Sequence, residues 1–278
     1  MRDPKSLSSF IFLVAWMSLC SCERCEIDSP DSRETAKFPT EKIIDTTFIS
    51  AFVKDSIKID ISLPKGYNEE EKSYPVIYMT DGYWRRADHD TIHLMSDRHE
   101  IPDVIVVGVG YPDDYNFDST RVRDLIKNSG SLFECIKSEV LPYVEGKFRA
   151  DTANRTLRGA SYGGYFLVYA FTEHVRQGRL FKNYIGASAA LVPPYQHVDL
   201  LENERALWES TKSLPVNLYL TVGGNETTFF RDSYTSLVNA IESHHYSGLR
   251  FEHEIIPGTD HYTVWRPTLL KGLRTFLN

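Results

Sequence analysis

Cysteine is scarce in this chain: four in 278 residues, three of them at positions 20, 22 and 25 and the fourth at Cys135. That distribution excludes a disulfide framework, and no pair has the spacing of a zinc site. Basic residues are also in deficit, 31 against 38 acidic, for a formal charge of −7. Without a basic excess or a long basic run, nucleic acid is not the expected partner. Long hydrophobic runs are missing too. The longest, residues 10–19 (FIFLVAWMSL), falls short of the ~20 residues that span a bilayer. No internal repeat or low-complexity tract interrupts the chain, and no motif calls for a metal or an organic cofactor.

What is present begins with a leader. Arg2 and Lys5 precede the apolar run, which ends in Leu19-Cys20-Ser21-Cys22. This is the shape of a signal peptide over residues 1–21. The last four residues resemble a bacterial lipobox, which makes Cys22 the candidate lipidation site. An ordinary cleaved signal peptide is the alternative. Both readings place the mature protein outside the cytoplasm, as a periplasmic or outer-membrane lipoprotein of the bacterial cell envelope or as a secreted protein. Membrane contact is then expected only through an N-terminal lipid anchor. Residues 22–42 are polar, charged and proline-containing, the composition of a flexible tether.

From residue 43 to residue 278 the pattern is that of one folded domain. TFISAFVKDSIKIDISLP alternates apolar and polar residues on both sides of Lys54-Asp55, which predicts a hairpin. YPVIYMT predicts a strand ended by Asp81-Gly82. DVIVVGVG is apolar nearly throughout, as in a strand buried on both faces. A helix around Cys135 follows, where a buried, inert thiol is expected. RTLRG, YIGASA, VNLYLTVGG and FEHEIIPG predict further strands. YFLVYAFTEHV, LLENERALWEST, FRDSYTSLVNAIESHH and WRPTLLKGLRTFL predict helices between and after them. The fold class is therefore α/β: a mostly parallel twisted sheet with an N-terminal antiparallel hairpin and helices on both faces.

The motif that carries chemistry is Gly159-Ala160-Ser161-Tyr162-Gly163, a G-x-S-x-G placed between a predicted strand and a predicted helix. A serine on so sharp a turn needs small neighbours two residues away on each side, and it stands at a helix N-terminus where developing negative charge is favoured. Ser161 is the candidate nucleophile. A hydroxyl needs a base, and His261, on the loop between the last strand and the last helix, is the candidate. The acid is expected after VNLYLTVGG, with Glu226 favoured and Asp232 a rival; Asp260 is too close in sequence to face His261 well. Backbone N–H groups of Tyr162 and Tyr83 are candidate oxyanion donors, Gly82 permitting close approach at the latter.

YPVIYMTDGYW, FDSTRVRDL, RGASYGGYFLVYAF, LYLTVGGNE and GTDHYTVW together resemble the putative esterase (esterase D-like) family of α/β-hydrolases. That family includes siderophore trilactone esterases, feruloyl and acetyl esterases, formylglutathione hydrolases and mycolyl transferases. The resemblance implies an α/β-hydrolase fold, a triad of Ser161, Glu226 and His261, and oxyanion donors at Tyr83 and Tyr162. It implies a serine hydrolase that cleaves a carboxylic ester through an acyl-enzyme and acts on a small-molecule or carbohydrate ester without a cofactor. An acyltransferase using the same triad, and a catalytically silent binding protein, are the alternatives. One departure is visible. Arg121-Val122-Arg123-Asp124 is followed by Leu125-Ile126, where the siderophore branch has threonine-proline. The short stretch 192–214 leaves room for only a small lid, hence an open cleft. Trp84, Tyr262 and Trp265, with Tyr111 and Tyr115, would suit a phenolic group or a sugar face, and Arg85 and Arg86 an anionic substrate.

Overall fold

The computed structural model describes residues 43–173, 178–191 and 198–278. The expected signal peptide and tether, with Cys22, lie outside them. Eight strands form one sheet in the order β1-β2-β4-β3-β5-β6-β7-β8. β1 (Ile44–Ile49) and β2 (Ser56–Ser62) form the hairpin, turning at Lys54, whose φ is +61°. β2 pairs antiparallel with β4 (Ile105–Gly110). From β4 onward every pairing is parallel, through β3 (Tyr74–Thr80), β5 (Ala150–Ala160), β6 (Asn183–Ala187), β7 (Asn217–Gly223) and β8 (Arg250–Ile256). This is an α/β-hydrolase arrangement.

Burial follows from position in the sheet. All six residues of β4 are buried, as its unbroken apolar run requires for a strand covered on both sides. β1 and β8, the two edges, alternate instead. Odd and even residues sort the core into two layers. Val76 and Tyr78 of β3 join the larger cluster, while Ile77 and Met79 join the smaller one.

The smaller layer lies under two helices, α1 (Arg86–Asp97) and the closing helix of the chain (Trp265–Leu277). Ile92, Met95, Leu269 and Leu273 pack there against Ile185 and Tyr219. The larger layer is covered first by a helical run: α2 (Phe117–Arg121), α3 (Ser129–Cys135) and α4 (Leu141–Lys147), with π-helical turns between them. Then come α5 (Tyr162–Thr172), α6 (Leu200–Ser210) and α7 (Thr228–His244), which makes the closing helix α8. Cys135 is buried in that layer, and burial pushes its thiol up to about 12. Among the described residues no helix is long and apolar enough to cross a membrane.

The sequence pattern does not predict α1. Its buried side carries Asp88, His89 and Ser96 beside only Ile92 and Met95, so the usual apolar stripe is absent. Polar burial hides this helix from periodicity.

Candidate active site

The site sits at the carboxyl ends of the parallel strands, where the sheet edge is lined by loops. β5 ends at Ala160 and α5 starts at Tyr162, so Ser161 alone makes the turn, with φ 57° and ψ −117°. A non-glycine residue held there stores about 1–3 kcal/mol of strain. Three backbone hydrogen bonds hold it: Ser161 N–H to Ala187 O (3.0 Å), and Tyr165 N–H (2.9 Å) and Ala190 N–H (3.1 Å) to Ser161 O. Crowding explains the flanking glycines. A Cβ on Gly159 would stand 2.0 Å from Gly163 O, and one on Gly163 would stand 2.1 Å from Thr80 Oγ1.

His261 lies on the loop between β8 and α8. Asp260 shapes that loop, its Oδ1 accepting from Tyr262 N–H (3.0 Å), Thr263 N–H (2.9 Å) and Thr263 Oγ–H (2.7 Å). Asp260 is therefore a turn-former, and His261 points the other way. Its Nε2 is 2.9 Å from Ser161 Oγ, and its Nδ1 is 2.9 Å from Glu226 Oε2. A carboxylate on the Nδ1 side holds the proton on that nitrogen, which leaves Nε2 as acceptor for the serine hydroxyl.

Glu226 follows β7 and is buried, and it is well supplied with donors. Gly223 N–H donates to Oε1 at 2.9 Å, and the Ser188 hydroxyl donates to the same oxygen. Burial alone would raise this carboxyl. The hydrogen bonds from His261, Ser188 and Gly223 outweigh it and hold the group below its ordinary range. Asp232 is exposed on α7, so the structure brings Glu226 and not Asp232 to His261.

A cleft of about 650 Å³ opens over Ser161 and His261, walled by Trp84, Arg121, Tyr162, Phe230 and Tyr262. A second cavity, about 280 Å³, adjoins it and is lined by Arg85 and Trp265 together with Ser161 and His261. The backbone of Tyr83 follows Gly82, where a Cβ would lie 2.6 Å from the Gly108 carbonyl carbon; the Tyr83 ring itself is exposed and lines neither space. Of residues 192–214, those at 192–197 lie outside the described residues, and α6 occupies most of the rest.

Three expected substrate contacts are not brought to the cleft. Arg86 turns to β1 and pairs with Asp45 at 2.7 Å. Consecutive residues at a helix start differ by about 100° in direction, so Arg85 and Arg86 cannot share a target. Tyr111 is buried in the core beneath the site. The Tyr115 hydroxyl donates to Asp55 at 2.5 Å, by the hairpin.

Conversely, Ser188, Phe230 and Arg121 are at the site without being predicted there. Arg121 is buried and binds Asp81 through two bonds, at 2.6 and 3.0 Å, with its guanidinium 4.8 Å from the Tyr162 ring centre. The Arg121-Val122-Arg123 run was the signal in the sequence, but its partner was not legible. Among the described residues no group of three or more His, Cys, Asp or Glu side chains is placed to hold a metal ion.

A family model described as a putative esterase matches residues 50–276. Solved structures share the fold. The BES protein from Bacillus cereus is 24% identical, with a TM-score of 0.74 over 87% of this chain and 97% of that one. The enterobactin esterase FES from Shigella flexneri is 18% identical, with a TM-score of 0.69 over 86% of this chain and 60% of its own. The siderophore hydrolase EstA from Aspergillus nidulans is 20% identical, with a TM-score of 0.70 over 86% of this chain and 97% of its own. No curated protein sequence matches the chain.

Proposed function

This chain belongs to the putative esterase family and is a carboxylic ester hydrolase, and from that premise we propose that it is a serine esterase acting through an acyl-enzyme on esters with an aromatic component. The observation that carries the proposal is the unbroken hydrogen-bond chain from Ser161 Oγ through His261 to Glu226, ending at the floor of an open cleft.

Ser161 Oγ attacks the ester carbonyl while His261 Nε2 takes its proton. Glu226 stabilises the imidazolium so formed. Negative charge on the carbonyl oxygen is met by the N–H of Tyr162, at the start of α5, and by that of Tyr83. His261 then delivers its proton to the departing alkoxide. Water, deprotonated by the same nitrogen, releases the acid and restores Ser161. The aromatic walls of Trp84, Phe230 and Tyr262 favour a planar substrate group. A fold relative, the enterobactin esterase FES seen in the presence of 2,3-dihydroxy-N-benzoyl-glycine, makes an aryl-bearing small molecule the first class to test.

The test combines a fluorophosphonate label with turnover of p-nitrophenyl acetate, feruloyl sugars and ferric enterobactin. The expected result is labelling and turnover that both vanish in Ser161→Ala. Labelling that persists in that variant refutes the assignment. We also propose export through residues 1–21, with Cys22 as the lipid attachment point. Incorporation of labelled palmitate into the wild type and not into Cys22→Ala tests it.

A further inference from the structure

The smaller cavity beside Ser161 has a charge imbalance that the reaction chemistry does not use. Arg85, the residue before α1, lies with its guanidinium 4.2 Å from the Trp265 ring centre, and its Nε is buried without an acceptor. Behind it, Arg158 of β5 is only 1% exposed, and neither of its terminal nitrogens has a hydrogen-bond partner. Arg158 Nη2 meets Asp88 Oδ2 at 3.5 Å, an ion-pair distance, yet that oxygen too lacks a hydrogen bond. The other charged pair at this cavity, Arg121 with Asp81, is closed on itself. Around this cavity three guanidinium groups, Arg85, Arg121 and Arg158, face two carboxylates, Asp81 and Asp88, which leaves one positive charge in excess. A buried charge left in excess is costly unless a counter-charge arrives.

We propose that this cavity is an anion subsite in which Arg85, backed by Arg158, receives a carboxylate carried by the ester substrate. The inference rests on Ser161 as nucleophile, because the cavity is lined by Ser161 and His261 as well as by Arg85. A molecule seated there has its charge and its scissile bond in one enclosure. The chemistry suits a carboxylate: a planar guanidinium offers paired donors in the geometry two carboxylate oxygens accept, and stacking on Trp265 fixes its plane. Burial, with Arg158 nearby, lowers Arg85 to about 10, and burial lowers Arg158 as well. A guanidinium keeps its charge at neutral pH, and a bound anion would offset the burial of both.

The experiment compares matched esters with the purified protein: 3-acetoxybenzoate against methyl 3-acetoxybenzoate for a charge on the leaving side, and monomethyl against dimethyl isophthalate for one on the acyl side. In at least one pair, kcat/KM should favour the anion by about ten-fold or more, as for a hydrogen-bonded charged group. That ratio should collapse in Arg85→Met, recover in part in Arg85→Lys, and stay at the wild-type value in Arg86→Met, whose arginine pairs with Asp45. A ratio near one in both pairs, or a preference that survives Arg85→Met, overturns the subsite. Turnover of the neutral esters that persists in Ser161→Ala would instead overturn the catalytic reading, so the two failures are distinguishable.

Discussion

Ser62 Oγ lies 2.6 Å from His89 Nδ1 and 2.7 Å from His93 Nε2, closer than the 2.9 Å between Ser161 Oγ and His261 Nε2. The closer contacts belong to the interior between β2 and α1, the longer one to the cleft. In the interior, the second nitrogens of both rings, His89 Nε2 and His93 Nδ1, are buried with no partner. Burial lowers both imidazoles, His89 to about 3. His89 therefore takes no proton near neutrality, and Ser62 is buried. At the cleft, a buried carboxylate stands behind His261, the serine begins an 11-residue helix, and solvent has access. The comparison teaches that serine–histidine proximity is not the active ingredient. In the proposed mechanism the group on the far side of the ring and the opening in front of the serine decide.

Substitution at each serine separates the two regions most sharply. Ser161→Ala should lower kcat on p-nitrophenyl acetate by ~10⁴-fold or more, whereas Ser62→Ala should turn over at the wild-type rate. Comparable losses in both variants would erase the distinction. Next in size is the support behind the ring. Glu226→Gln should cost ~10³ to 10⁴ in kcat by favouring the wrong imidazole tautomer, with the fold intact by circular dichroism. A loss below ten-fold would mean the far-side partner matters little.

Acidification reads out the interior pair. His89 is neutral in the fold down to about 3, while the unfolded chain takes up that proton below its ordinary value of 6.5. Its contribution to stability is therefore full above 6.5 and shrinks as pH falls from there toward 3. Calorimetry should show Tm dropping across that window, with a shallower slope in His89→Leu; equal slopes would remove the titration assigned to His89. Smallest is Ser62→Ala itself, which leaves two buried rings short of a partner and should destabilise by about 1–3 kcal/mol in urea titration. No change in midpoint would show that the interior contacts contribute nothing.

Much of this architecture is legible in the chain because strand burial and β-branched composition coincide: DVIVVGVG and VNLYLTVGG are strands covered on both faces. Ser161 and His261 are legible because each needs a specific kind of loop at a specific place in the strand–helix order. The choice between Glu226 and Asp232 is not, since both follow β7 and only the turn at residues 223–226 decides which one points inward. Ser188 gave no signal at all. Its role as donor to Glu226 depends on β6 and β7 being neighbours, which no local pattern encodes. Arg85 was legible as a contact for an anionic substrate, but Asp88 and Arg158 behind it were not: one comes from a helix that periodicity misses and the other from the buried end of β5.

Ser161 and His261 are 100 residues apart in the polymer. At about 5–20 residues per second of synthesis, the hydroxyl leaves the ribosome roughly 5–20 s before the imidazole that activates it in the proposed mechanism. On that mechanism the growing polypeptide is hydrolytically silent throughout the interval, however well its earlier strands have paired. Ester cleavage therefore reports only on molecules whose last parallel strand has already joined the sheet.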